Sequence, residues 1–363
     1  MKLVANIQLK PDEAQARALR ETLERCNQAC NFLAAKAFAD GKFRQFDLHK
    51  VAYGDTRAMF DLTAQAAVRC IAKVADSYKI DKKVQRTFRR FAAQPYDDRI
   101  IRFCGGDLVS IWTLPGRMKI PFVCGERQRA LLAYRKGEVD LMYVRGKWYL
   151  ACVCDVPDPE EIGVTDVLGV DLGIVNLAFD SDGRSYTGAG IERVRVKLAR
   201  RKAGLQSRGT RAAKRRLRKL SGKQRRFQTH TNHCISKALV TAAQRSRRAI
   251  GLEDLTHIRN RVKARRRHRA KLHNWAFGQL RSFVSYKARL SGIPVAFVDP
   301  ACTSKGCRIC GTIDNRNRPN QSTFSCIACS HTENADLHAA RNIRLRARAV
   351  VTTPQGFQAA QAA

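Results

Sequence analysis

Acidic residues are scarce in this chain of 363 residues: 31 Asp and Glu stand against 68 Lys and Arg, a formal net charge of +37. Aromatic residues make up only 7%. No stretch approaches the roughly 18 consecutive apolar residues of a membrane span, and neither internal repeats nor low-complexity tracts occur. The apolar part of Met1-Lys2-Leu3-Val4-Ala5-Asn6 is too short for a secretory signal. A membrane partner is therefore not expected, and the expected compartment is the cytoplasm. The apolar content of 44% is that of a folded protein. So large a positive charge on a folded body disfavours an enzyme of small neutral metabolites and points to a polyanionic partner, nucleic acid above all.

The charge is also unevenly placed. Residues 191–290 hold 31 basic and 3 acidic side chains, so most of the excess lies in one 100-residue stretch. Within it stand Arg211, Lys214, Arg215, Arg216, Arg218 and Lys219, then Arg265, Arg266 and Arg267. A charge run alone is often a solvated helix face. Without acids to pair with, these nine residues read as a surface that follows phosphates. Lys82, Lys83, Arg86, Arg89 and Arg90 suit a nucleic-acid channel and a solvated helix face equally well.

Patterning divides the chain further. Lys2–Lys10 alternates as a strand, and Pro11-Asp12-Glu13 opens a helix with acids at its positive end. A second helical region is expected from about 61 to 91. After Gln94-Pro95, short strands are expected at 100–103, 108–112, 117–121, 129–134, 139–145 and 147–153. A strand, a helical insert and a return to strands suggest a small β-barrel interrupted by a helical bundle. The expected boundaries are 1–10 with 95–160 for the barrel and 11–94 for the insert. Beyond Pro157-Asp158-Pro159, strands at 167–171, 174–179 and 184–187 form a meander. Long basic helices follow at 191–221 and 223–246, then a strand 248–253, a helix from about 273 to 291 and a fifth strand 294–298.

Nine of the 13 cysteines are scattered, at 26, 30, 70, 104, 124, 152, 154, 234 and 302, and read as reduced, mostly buried thiols. The other four form Cys307-x2-Cys310-x15-Cys326-x2-Cys329. Two such pairs close a tetrahedron around one zinc ion and leave no open position, so the zinc is expected to be structural. Cys302 reads as a spare thiol. Arg316 and Arg318 in the intervening loop fit either nucleic-acid contact or solvation.

Asp171 and Glu253 each end an apolar strand, and Asp336 begins a helix from Asn334. An acid at a strand end is commonly a cap or a loop ion pair. Three together in an acid-poor half suit hard cations, and Mg²⁺ takes few carboxylates plus phosphate oxygens. Two such ions are the device of phosphodiester hydrolysis.

In this order the motifs resemble the TnpB family, transposon-encoded relatives of type V CRISPR nucleases, over roughly residues 163–345. The resemblance rests on Gly169-Val-Asp171-Leu-Gly, Gly251-Leu-Glu253-Asp-Leu-Thr, Ser282-Phe-Val-Ser-Tyr-Lys287, Val298-Asp-Pro300 with Thr303-Ser304, the four cysteines and Asn334-Ala-Asp336-Leu-His-Ala-Ala-Arg-Asn342. It implies an α/β, multidomain protein. An RNase H-like (RuvC) nuclease domain, 163–300 with 331–350, would carry an inserted zinc ribbon, 301–330. A wedge-type β-barrel with a helical recognition insert would precede it, and a disordered tail, 351–363, would follow. It further implies Asp171, Glu253 and Asp336 as catalytic ligands of Mg²⁺, Cys307, Cys310, Cys326 and Cys329 as zinc ligands, and guide RNA and target DNA as partners. No protein partner is required, and a monomer is favoured. The implied activity is RNA-guided cutting of DNA beside a transposon-adjacent motif. The alternatives are a compact type V CRISPR effector with an array-derived guide and a cleavage-inactive repressor. The chain departs from the family at Lys305, where Gln is frequent, at Ser330 for Gly, and at His338 for Asn; His338 reads as a bystander to catalysis.

Overall fold

The computed structural model describes residues 1–256 and 277–352, which fall into two compact units, Met1–Pro157 and a second from Asp158 onward. In the first, β1 (Lys2–Leu9) leads into α1 (Glu13–Ala39), α2 (Gln45–Phe60) and α3 (Ala64–Tyr78). The start of α1 follows from its capping box: the Asp12 carboxylate accepts from the Gln15 N–H at 2.8 Å, and the Gln15 side chain accepts in return from the Asp12 N–H. The chain then forms β2 (Gln94–Tyr96), β3 (Ile101–Cys104), β4 (Leu108–Thr113), β5 (Gly116–Val123), α4 (Glu126–Leu132), β6 (Arg135–Val144) and β7 (Lys147–Asp155). The strands form one sheet in the order β2-β6-β7-β1-β5-β4-β3. The sheet curls into a nearly closed barrel, because Tyr96 on one edge strand donates its hydroxyl to the Trp112 carbonyl near the other.

Two expectations fail here for visible reasons. The helical region does not run from 61 to 91. It starts with α2 and stops at Tyr78, after which the backbone is held by side chains of α1: Asn31 accepts from the Phe88 N–H at 2.7 Å and donates to its carbonyl at 3.0 Å. Residues 129–134 are not a strand. Glu126-Arg-Gln-Arg-Ala-Leu-Leu132 lacks any β-branched residue and forms the helix α4 instead. Of the scattered cysteines, Cys26, Cys30, Cys70, Cys152 and Cys154 are buried, as expected of most of them. Burial pushes the Cys30 thiol well above its ordinary range.

The second unit opens with β8 (Asp166–Asp171), β9 (Asn176–Asp180) and β10 (Ser185–Thr187), the antiparallel meander. Helices α5 (Ala189–Arg208), α6 (Arg211–Leu220) and α7 (Lys223–Arg245) follow, then β11 (Arg248–Glu253), α8 (Phe277–Leu290), β12 (Val295–Val298) and, after the cysteine segment, α9 (Ala335–Thr352). The expected helix 191–221 is two helices. Gly209, at φ +61°, ends α5 in the left-handed conformation, and the Thr210 hydroxyl then caps α6 by accepting from the Ala213 N–H.

The sheet order is β10-β9-β8-β11-β12, with β8, β11 and β12 parallel. Parallel strands need cover on both faces. On one face Leu168, Val170, Ile250 and Leu252 pack with Leu239 and Ala243 of α7 and Val284 and Ala288 of α8. On the other, Val167, Ala249 and Ala296 pack with Ile343 and Ala347 of α9. Helix α9 comes very near the strand backbone. A Cβ on Gly169 would lie 2.1 Å from the Ala340 carbonyl oxygen, and one on Gly251 would lie 2.7 Å from the Ala347 methyl. Replacing Gly169 with Ala is expected to destabilise this unit by about 2–4 kcal/mol, since the clash is with backbone that cannot turn aside. Denaturant unfolding of the variant checks this.

Candidate functional site

Side chains alternate along a strand, so residues two apart share a face. Asp171 therefore lies on the α9 face with Val167 and Gly169, and Glu253 with Ala249 and Gly251. Both stand at the carboxyl ends of neighbouring parallel strands, one residue past the paired Val170 and Leu252. Asp336 occupies the first turn of α9, where Asn334 caps the helix by accepting from the N–H groups of Asp336 and Leu337. All three predicted acids line one cleft of about 290 Å³ with Thr303, Arg318 and Gln321.

The cleft is electrostatically tense. Burial, reinforced by the charges of Glu253 and Asp336, pushes the Asp171 carboxyl up to about 7, against the pull of Arg318. Burial raises Glu253 too, against the Thr303 hydroxyl bond and the charge of Arg346. Three carboxylates in a half-buried cleft with so few compensating cations have the donor chemistry for Mg²⁺.

The neighbours that hold these acids were not assigned roles by sequence patterning. Thr303 is buried and donates its hydroxyl to Glu253, while its carbonyl accepts from the Asn342 amide at 2.8 Å. The Asn176 amide donates to Asp336 at 2.8 Å, and the Arg318 guanidinium lies 3.7 Å from the other oxygen of that carboxylate. Thr303, Asn176 and Asn342 all lie inside the motifs that carry the family resemblance or beside them, which is the only sequence signal they have. Arg318 is aimed at the carboxylates rather than at solvent, a placement decided by the ribbon that carries it.

The ribbon consists of two similar turns. Gly311 N–H donates to the Cys307 carbonyl and Ser330 N–H to the Cys326 carbonyl, at 2.9 and 3.0 Å. The four sulfur atoms all lie within 4.8 Å of one another, with Cys307–Cys329 at 3.6 Å and Cys310–Cys326 at 3.5 Å. Bonds from Thr312 hold the Cys310 thiol down at about 6, whereas, against a backbone bond from His331, burial and the neighbouring sulfurs push Cys329 up to about 12, so the four thiols share their protons as a set. Four such donors suit zinc. Buried Asn317 ties the two turns together by donating to the carbonyls of Lys305 and Thr312 and accepting from the Ile327 N–H. Gly311 and Ser330 occupy equivalent left-handed positions, at φ +77° and +60°.

Arg211, Lys214, Arg215, Arg216, Arg218 and Lys219 are all exposed on α6. Among the described residues no acidic group pairs with any of them. Arg265, Arg266 and Arg267 lie outside the described residues. Among the described residues no helix is long and apolar enough to cross a membrane.

Residues 151–257 match a family described as "Probable transposase" (OrfB_IS605), and residues 277–343 match the Cas12f1-like TNB domain. The CRISPR-associated endodeoxyribonuclease Cas12f1 of Sulfoacidibacillus thermotolerans is 33% identical over 55% of this chain and 50% of its own length. The TnpB-like protein MJ0751 of Methanocaldococcus jannaschii is 36% identical over 34% of this chain and 45% of its own. The "Putative RNA-guided DNA endonuclease InsQ" of Escherichia coli K12 is 29% identical over 59% and 57%. The chain spans about half the length of the curated relatives it matches. A Cas12f1 chain solved in complex with sgRNA and target DNA has a similar fold, with a TM-score of 0.60 and 15% identity over 92% of this chain and 83% of that one. These matches bear out the resemblance to the TnpB family.

Two outcomes follow from the site. For Asp171 the proton is held more tightly in the folded chain than in the unfolded one, whose value is about 3.9. Its contribution to stability is therefore most favourable below about pH 4 and is lost as pH rises towards about 7. In Mg²⁺-free buffer Asp171→Asn should unfold later than the parent at pH 8, by about 1–3 kcal/mol, and alike at pH 4. Thermal unfolding at both pH values reads this difference. Ser330→Gly should stabilise the zinc-loaded ribbon by about 1 kcal/mol, by relieving a left-handed residue that carries a Cβ, as measured by resistance to a zinc chelator.

Proposed function

We propose that this chain, similar in sequence to TnpB proteins and to Cas12f1, is an RNA-guided DNA endonuclease of the TnpB type that hydrolyses phosphodiester bonds beside a transposon-adjacent motif. The observation that carries the reading is the convergence of Asp171, Glu253 and Asp336 in one cleft from positions up to 165 residues apart. The mixed five-stranded sheet flanked by α7, α8 and α9 is read as the RuvC-like, RNase H-type nuclease domain, 163–300 with 331–350. The segment 301–330 is read as its zinc ribbon, with structural zinc on Cys307, Cys310, Cys326 and Cys329. Residues 1–10 with 95–160 are read as the wedge-type barrel, and 11–94 as the recognition insert.

Asp171, Glu253 and Asp336 would hold two Mg²⁺ ions, which when bound supply an activated water and charge stabilisation for the leaving oxygen. The rest of the work belongs to the chain itself. Thr303 fixes the rotamer of Glu253, and Asn176 and Arg318 fix that of Asp336, so the carboxylates are aimed before substrate arrives. Arg318 also brings a fixed positive charge to a cleft that must accept a phosphate. The exposed basic face of α6, with Arg265, Arg266 and Arg267, would follow the nucleic-acid backbone without reading its bases. Sequence choice would rest with pairing between a guide RNA and the target strand.

The identity with Cas12f1 supports a second reading, a compact CRISPR effector with an array-derived guide. A cleavage-inactive repressor is disfavoured because all three acids are in place. Purification without nuclease treatment, followed by sequencing of the bound RNA, separates the first two: an RNA ending at a transposon boundary favours TnpB, and one carrying repeat and spacer favours the effector. The recovered RNA should then direct Mg²⁺-dependent cutting of a matching, motif-flanked DNA. Ala at Asp171, Glu253 or Asp336 should lower cutting by about 1,000-fold or more while DNA binding persists. An uncut matched target in Mg²⁺ would sink the proposal.

A further inference from the structure

We propose that His331, Glu333 and His338 form a second metal site, distinct from the four cysteines, for zinc or a similar divalent transition ion. The three side chains bring one nitrogen or oxygen each within 4.8 Å of one another. His331 precedes β13 (Thr332–Asn334), Glu333 lies on that strand, and His338 lies in the first turns of α9.

The contacts around His338 favour a positive charge at this point. The ring is fully buried and stacks on Phe324 with centroids 3.5 Å apart. Its Nε2 lies 2.9 Å from the Gly306 carbonyl oxygen, which only accepts, so Nε2 carries the proton. In the neutral ring Nδ1 is then a lone pair, and it faces Glu333 Oε2 at 3.4 Å, an acceptor against an acceptor. His331 Nε2 approaches the same oxygen at 3.6 Å and is buried without a hydrogen-bond partner. A proton on Nδ1 would settle His338 alone and leave His331 Nε2 unpaired, whereas one metal ion among the three atoms satisfies all of them. Two of the three spacings, 3.4 and 3.6 Å to Glu333 Oε2, also fit. Ligand atoms bound tetrahedrally at about 2.0–2.1 Å lie about 3.3–3.4 Å apart.

Two imidazoles and a carboxylate select zinc-like ions over Mg²⁺, which prefers oxygen ligands. Arg308 and Arg341 also contact Glu333, so the carboxylate is already fixed in place and must be shared between them and the ion. The effect of occupancy is mechanical. Glu333 and His338 bracket Asp336, so an ion here fastens the ribbon strand to the turn that presents this acid.

Zinc per chain, measured by elemental analysis on the full chain with its bound RNA after equilibration in zinc and gel filtration, tests this. The expected result is two zinc ions in the native chain and one in His331→Gln. Equal counts in the two overturn the proposal. If the variant loses all its zinc, zinc-edge X-ray absorption of the native chain decides. A nitrogen/oxygen shell near about 2.0 Å beside sulfur near about 2.3 Å supports the second site, and sulfur alone overturns it.

Discussion

Helix α9 rests directly on the backbone of β8 and β11, and this contact is possible because Gly169 and Gly251 present no side chain to it. The strands, the helix and the ribbon inserted before the helix all take their positions from that approach. The alternation that turns the two glycines towards α9 also turns Asp171 and Glu253 towards it, since all four lie at even spacing on the same face. Asp336, in the first turn of the same helix, is thereby delivered to the ends of the two strands. A bulkier residue at either glycine would lift α9 and separate the third acid from the other two without touching any of them.

The acids also concentrate negative charge in a protein otherwise dominated by cations. Asp171 accepts a raised affinity for protons, and the cleft holds its carboxylates in place with neutral donors, Thr303 and Asn176, and one guanidinium, Arg318. A second arginine bonded directly to the carboxylates would neutralise them and remove the donor charge that suits a divalent cation. The long basic helices are set apart from the cleft along the chain, and the α6 cations have no acidic partners among the described residues, which leaves them free for phosphate. The acid cleft and the basic face of α6 are built from different elements, so among the described residues the two sets of charges do not pair with each other.

The ribbon and the acid site are joined more closely than a metal-binding insertion requires. Asn342 on α9 donates to the carbonyls of Thr303 and Gly306, and His338 bonds the same Gly306 carbonyl. Arg318 reaches out of the ribbon to Asp336. The loop that positions Glu253 and the helix that positions Asp336 are thus tied to the turn that carries Cys307. These bonds couple the geometry of the cysteine cluster to that of the three acids.

Much of this was legible from residue order. The C-x2-C pairs are local: each turn brings its own two sulfurs together, so spacing reveals the donor set before any fold is known. Asp171 and Glu253 were legible because each ends an apolar strand within a recognisable motif, and the strand and cap patterns around α1, β8 and β11 are set by neighbours only a few residues away. Other features depended on distant partners. The segment after Tyr78 leaves the helix because Asn31, 57 residues earlier, bonds its backbone. The functions of Thr303, Asn176 and Arg318 arise only when their partners, up to 160 residues away, come within hydrogen-bond or ion-pair reach. Local geometry is written in short-range covalent spacing and propensity; which buried side chains meet is decided by packing, and packing exists only once the chain has folded.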